Sequence, residues 1–101
     1  MKTKDQLIQL GIEGFKADEI MLLQSKMREQ AVKFQFKKKD GTIRDAVGTL
    51  VRGLMKQADG SLWEPKGESK PEPDTVIRYF DLEKGMWRCF TVTDFIGLAE
   101  A

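Results

Sequence analysis

Lys37, Lys38 and Lys39 stand in a row with Arg44 shortly after them, and further along Arg78, Tyr79, Trp87, Arg88 and Phe90 crowd into one short stretch. Cationic side chains neutralise phosphates, and nearby aromatic rings offer faces on which bases stack. The chemistry open to these residues is recognition of a nucleic acid or an anionic small ligand, with Lys33 and Arg52 as further phosphate contacts. A plainer role competes at each position. Lysines on an edge strand prevent edge-to-edge aggregation, and aromatic rings in a strand fill a core.

Bond-making chemistry finds little support. The chain has no histidine, which removes imidazole-based triads and histidine metal ligands. Its single cysteine, Cys89, lacks a partner for an internal disulfide or for a zinc site of the usual kind. Lying between Arg88 and Phe90 on a strand, it is expected to be a small buried hydrophobe. Glu68, Glu72 and Asp74 sit in a proline-punctuated stretch, and Asp81 is expected to face an arginine, so no carboxylate pair is set for acid–base work. Gly-rich phosphate loops are absent as well. The expectation is a protein without catalytic residues, cofactor or metal.

A chain of 101 residues makes one domain. Its hydrophobic fraction of 41% and charged fraction of 33% lie on the polar side of the ~45–50% and ~25% of average proteins, so the core is thin and the surface heavily charged. No apolar run approaches the ~18 residues of a membrane span, and no apolar targeting segment is evident; a cytoplasmic location is expected. Charge is distributed unevenly. Residues 31–56 carry seven basic and two acidic groups, whereas residues 57–101 carry five and nine. Such a dipolar surface steers an anionic partner to one end, or lets copies of the chain meet as a homo-oligomer.

The elements that must position these groups begin with helices. Thr3 and Gln6 have the spacing of a capping box, with Leu7, Ile8 and Leu10 following and Gly11 as a stop, which predicts a short helix at 4–10. Ile20, Leu23 and Met27 recur at helical spacing and predict a helix over 17–29 capped by Asp18. Residues 1–30 are thus expected to pack as a helical segment on a β-domain of residues 31–101. In a first hairpin, 31–51, Val32, Phe34 and Phe36 alternate with Lys33, Gln35 and Lys37. Lys39-Asp40-Gly41 suits a three-residue loop with Gly41 left-handed. That loop pairs Phe34 with Ala46 and Val32 with Gly48, and Gly48 is expected at a bulge or bend.

A second hairpin, 76–96, is split by Glu83-Lys84-Gly85. One register opposes Asp81 to Arg88 through a four-residue connection and groups Phe80, Leu82, Trp87 and Cys89 on one face, with Ile77, Tyr79, Phe90 and Val92 on the other; a three-residue loop is the alternative. Residues Thr93 to Ile96 add either a fifth strand or a helical turn. Between the hairpins, residues 56–75 hold all three prolines and few apolar groups, the pattern of a mobile insertion. Leu62 and Trp63 are its exceptions and are expected to dock on the sheet or on a partner. The two hairpins are expected to close into one small barrel with Phe34, Phe36, Val47 and Phe80 inside.

Three segments, KKDGTIR at 38–44, RYFDLE at 78–83 and WRCF at 87–90, resemble the WYL-type domains. The likeness covers about residues 30–97 and points to a small stand-alone branch with an Sm-like, SH3-like β-barrel. It implies a mainly β fold with N-terminal helices, built as a five-stranded antiparallel barrel. It further implies a non-enzymatic module of bacterial or phage regulatory proteins that senses ligands or nucleic acids through a groove of aromatic and arginine side chains. Tyr79 and Phe80 take the last two positions of the namesake triplet, and Arg88 and Phe90 match the family's arginine-x-phenylalanine strand. Arg78 replaces the namesake tryptophan, and Thr93-Asp94 replaces an acidic-then-basic pair, which removes one positive group from the groove. With the lysines, the expected binding set is Lys37, Lys38, Lys39, Arg44, Arg78, Tyr79, Trp87, Arg88 and Phe90.

Overall fold

A computed structural model describes residues 1–99 and opens with two helices. Helix α1, Lys4–Gln9, starts at Thr3, whose hydroxyl accepts the Gln6 N–H at 3.2 Å while the Gln6 side chain accepts the Thr3 N–H at 2.8 Å. This reciprocal pair satisfies donors that a helix start otherwise leaves unbonded. Helix α2 spans Gly14–Met27, beginning three residues before the expected 17–29 helix and ending two before its end. Ala17 is buried with Ile20, Gln24 and Met27 on one face, and its N–H bonds the Glu13 carbonyl at 2.8 Å. That burial draws the first turn back toward Glu13, the N-cap residue, which makes no side-chain cap. Asp18 therefore caps nothing and instead pairs with Lys4 at 2.8 Å.

Five antiparallel strands form one sheet: β1 Val32–Lys37, β2 Ile43–Thr49, β3 Val76–Asp81, β4 Met86–Thr91 and β5 Phe95–Leu98, in the order β4-β3-β2-β1-β5. The first hairpin has the expected register, with Phe34 opposite Ala46 and Val32 opposite Gly48. Its tip turns through Gly41, whose φ of 90° is the left-handed conformation that glycine takes without penalty. In the second hairpin the connection is four residues long, but Asp81 lies opposite Met86 and Arg88 opposite Tyr79. The turn explains the shift. One Asp81 carboxylate oxygen accepts the N–H groups of Glu83 at 2.9 Å and Lys84 at 3.0 Å, so Asp81 is spent on starting the turn and not on a cross-strand pair with Arg88. Since the shift is two residues, the sorting of side chains between faces is as expected.

The tail does both things left open for it. A 3-10 turn at Val92–Asp94 leads into β5, which pairs with β1 across an irregularity at Gln35/Phe36. The expected closure into a complete barrel does not occur, because β4 and β5 are the two ends of the hydrogen-bonded order. Aromatic rings bridge that gap instead: Phe90 stacks on Phe95 at 6.0 Å and on Phe36 at 5.3 Å. Carboxylates finish two strand edges. Glu19 of α2 accepts the Leu98 N–H at 2.7 Å, and Glu72 accepts the Arg78 N–H at 2.8 Å.

Helix α2 packs on β1 and β5, and its Ile20, Leu23 and Met27 meet Phe34, Phe36, Tyr79, Phe90 and Phe95 in one core. Val47 and Phe80 are not part of it. Strand alternation turns both to the opposite face, where Val47 is half-buried opposite Lys33 and Phe80 packs edge-on against Trp87 at 5.8 Å. Trp63 reaches that outer face from the inter-hairpin segment and meets Trp87 at 5.2 Å. Lys56 and Leu62 form an antiparallel bridge there, and the Trp63 N–H bonds the Met55 carbonyl at 2.8 Å.

Gly48 keeps the regular register instead of forming a bulge. A Cβ at this position would come within 2.6 Å of the Tyr79 ring and 3.2 Å of the Phe34 ring, which themselves pack as a T at 5.1 Å. Gly48→Ala is therefore expected to lower the unfolding free energy by about 1–3 kcal/mol through overpacking. Gly14→Ala, with nothing near its Cβ, should be neutral or stabilising. Urea titration of both variants checks this, and an unperturbed Gly48→Ala would refute the packing account.

Candidate functional site

Cross-strand pairing sets Arg44 beside Phe36 and Arg88 beside Tyr79, so the inward face of the sheet changes from aromatic to cationic toward the tip of the first hairpin. A cavity of about 360 Å³ opens there, lined by Phe36, Lys38, Lys39, Asp40, Arg44 and Arg88, with Cys89 beside them. Cys89 is exposed, contrary to the buried role expected of it, because alternation faces it away from the core that holds Phe90.

Arg44, which lines this mouth, is held from behind by a fully buried carboxylate. Asp81 is 0% exposed and Arg44 only 15%, and the Arg44 guanidinium is ion-paired to the Asp81 oxygen that the turn amides leave free. Breaking such a buried pair from one side costs about 3–5 kcal/mol, because it strands the other charge. The Tyr79 hydroxyl lies among the same groups, close to the Arg44 guanidinium but without a hydrogen bond of regular geometry, and the Arg44 Nε is likewise unpaired. Burial first, and then the Asp81 charge, push the Tyr79 phenol up to about 12, with Arg44 and Arg88 partly offsetting them. An unsatisfied buried donor costs about 1–3 kcal/mol, a deficit that an incoming acceptor would remove.

The hairpin tip is held in place over the mouth. Lys39 Nζ donates to Thr91 at 2.8 Å and to Asp94 at 3.0 Å, tying the tip to the corner where β4 turns toward β5. Thr42, through its hydroxyl and then its N–H, holds the Asp40 carboxyl below the usual carboxylate range. Asp94, which stands where the family pattern has a basic group, is thereby partnered by Lys39.

Of the residues singled out from the sequence, the structure brings Lys38, Lys39, Arg44 and Arg88 together in the mouth, while the Tyr79 hydroxyl is buried near Arg44 and Arg88 and is not part of the lining. Lys37 is exposed at the end of β1, Lys33 is exposed on β1, and Arg52 is exposed on the 3-10 turn Arg52–Leu54. Arg78 and Trp87 belong to the opposite face. The Arg78 guanidinium donates to the Lys70 carbonyl at 2.8 Å and the Pro71 carbonyl at 3.1 Å, while Trp87 packs between Phe80 and Trp63. The Tyr79 and Phe90 rings are 0% and 3% exposed in the core, which leaves no open face for a base to stack on. Sequence reasoning missed Arg44 as the partner of Asp81. The only signal for it is an aspartate placed to receive the amides of a following turn.

Strand order and site together define a small mainly-β module with N-terminal helices and a cationic opening at the tip of the first hairpin. The family model WYL_2, described as an Sm-like SH3 beta-barrel fold, matches residues 20–96, and the chain belongs to that family. No curated protein and no solved structure matches the chain significantly. No described helix is long and apolar enough to cross a membrane.

Tyr79 is the only tyrosine in the chain, so its phenol can be titrated by absorbance without interference. Between pH 10.0 and about 12 the unfolded chain releases a proton that the folded chain keeps, and stability contributed by this group falls as pH rises through that window. Tyr79→Phe should abolish that part of the alkaline loss. At neutral pH the variant should be at least as stable as the parent, since it removes an unpaired hydroxyl and keeps the ring. Phenolate appearing near pH 10 in the folded protein would contradict this environment.

Proposed function

We propose that this protein is a non-catalytic cytoplasmic binding module that takes a nucleic acid or an anionic small ligand at its basic mouth, in a bacterial or phage regulatory setting. The observation that carries the reading is the pair of unsatisfied donors, Tyr79 Oη and Arg44 Nε, beside Lys38 and Arg88, which form no ion pair among the described residues. A phosphate oxygen supplies both the acceptor and the negative charge that this group of donors lacks. The regulatory setting follows from the family resemblance. The lack of histidine supports a role in binding over catalysis.

For single-stranded oligonucleotides the logarithm of affinity should fall linearly with the logarithm of salt, by roughly 0.7 per phosphate neutralised. Both affinity and slope should drop in a Lys37→Ala/Lys38→Ala/Lys39→Ala variant and in Arg88→Ala. Fluorescence anisotropy over a salt series measures this. Salt-independent affinity, or equal binding by the variants, would remove the nucleic-acid reading.

A second reading, self-association, is favoured by one observation: β4 ends the sheet with no strand along its outer side. The far edge is less available, since Glu19 already bonds the Leu98 N–H of β5. Pairing of copies along β4 predicts a scattering mass well above the 11.5 kDa of one chain, and a monomer at all concentrations would discard it.

A further inference from the structure

We infer that a second binding site, separate from the basic mouth, lies where β2 and β3 diverge, and that it takes a small aromatic acid, a single ring bearing a carboxylate or phosphate. The two strands pair at only two positions, Gly48 with Asp81 and Thr49 with Phe80. Beyond them the chain turns toward α2, where the Leu50 N–H bonds the Met27 carbonyl at 2.8 Å, and the first half of β3 is left with β4 alone. A cleft of about 250 Å³ occupies the space between them.

Its lining is chemically divided. Met27, Leu50, Ile77 and the Trp87 indole supply apolar walls, and Arg28 and Lys70 supply positive charge. The other charged side chains there are already committed: Arg78 binds the Lys70 and Pro71 carbonyls, and Glu72 is paired with Lys2 at 2.7 Å. Arg28 and Lys70 have no ion pair among the described residues. Trp87 belongs to the lining, and its indole N–H is buried with no acceptor. A buried donor of this kind is rare in folded proteins and marks a place where an acceptor belongs. Apolar walls ask for a ring, the unpaired cations for an acid group, and the indole N–H for an oxygen. The volume lies below the ~300–1,000 Å³ of pockets that hold drug-sized ligands, which limits the occupant to about one ring.

The test is an NMR titration of the tryptophan indole N–H signals with benzoate and phenyl phosphate, using inorganic phosphate as the ringless control. Trp87→Phe assigns the signal and removes the donor while keeping an aromatic wall. One of the two aromatic acids should shift the Trp87 signal saturably, and inorganic phosphate should not. Arg28→Ala/Lys70→Ala, two exposed side chains whose loss leaves the core intact, should weaken binding about tenfold or more. Lys38→Ala/Arg88→Ala should leave the titration unchanged. No saturable shift with either acid, an equal shift with inorganic phosphate, or indifference to the Arg28/Lys70 variant would each overturn the site. Loss of the shift in the Lys38/Arg88 variant would assign the acid to the mouth and overturn it too.

Discussion

One carboxylate sets the geometry on which this molecule depends. Asp81 is entirely buried, a condition tolerable for a charge only when every oxygen is satisfied, and it meets that demand with two turn amides and the Arg44 guanidinium. The amides fix where the second hairpin turns, and hence that Arg88 faces Tyr79. The guanidinium ties the end of the first hairpin to the end of the second across the middle of the sheet. The cationic mouth is therefore a by-product of the same constraint that sets the strand register.

Around that fixed point the sheet is bounded by side chains more than by strands. Ring stacking of Phe90 on Phe95 and Phe36 spans the gap between β4 and β5, and Lys39 ties the tip of the first hairpin to Thr91 and Asp94 at the corner between those strands. Glu19 and Glu72 take up backbone donors at strand edges that no neighbouring strand reaches. An unpaired edge is a template for aggregation, and a charged acceptor placed on it blocks that pairing while keeping the N–H bonded.

Local signals in the sequence were strong where the physics is local. The Thr3–Gln6 capping box, the Lys39-Asp40-Gly41 loop and the Phe34–Ala46 register all depend on residues close in the chain, and each was legible. Harder to read was whatever depended on a distant partner. The start of α2 follows the burial of Ala17 against the core, the absence of closure is a property of the whole sheet, and Arg44 reaches Asp81 across 37 positions. Which of the singled-out residues share a face was not legible, for the same reason. Residue type identified the cations, but only the folded register shows that Arg78 and Trp87 face away from Arg88, and that Gly48 is small because Tyr79 lies over it.

The stacked rings between β4 and β5 give the molecule a seam. A ladder of hydrogen bonds comes apart in steps, each leaving polar groups bare, whereas apolar contacts are non-directional and tolerate sliding before they separate. Compliance in this sheet is thus concentrated along one line, and that line runs beside the cationic opening. A small shear of the two edge strands would change the width of the aperture while Asp81 and the rest of the sheet stay in register.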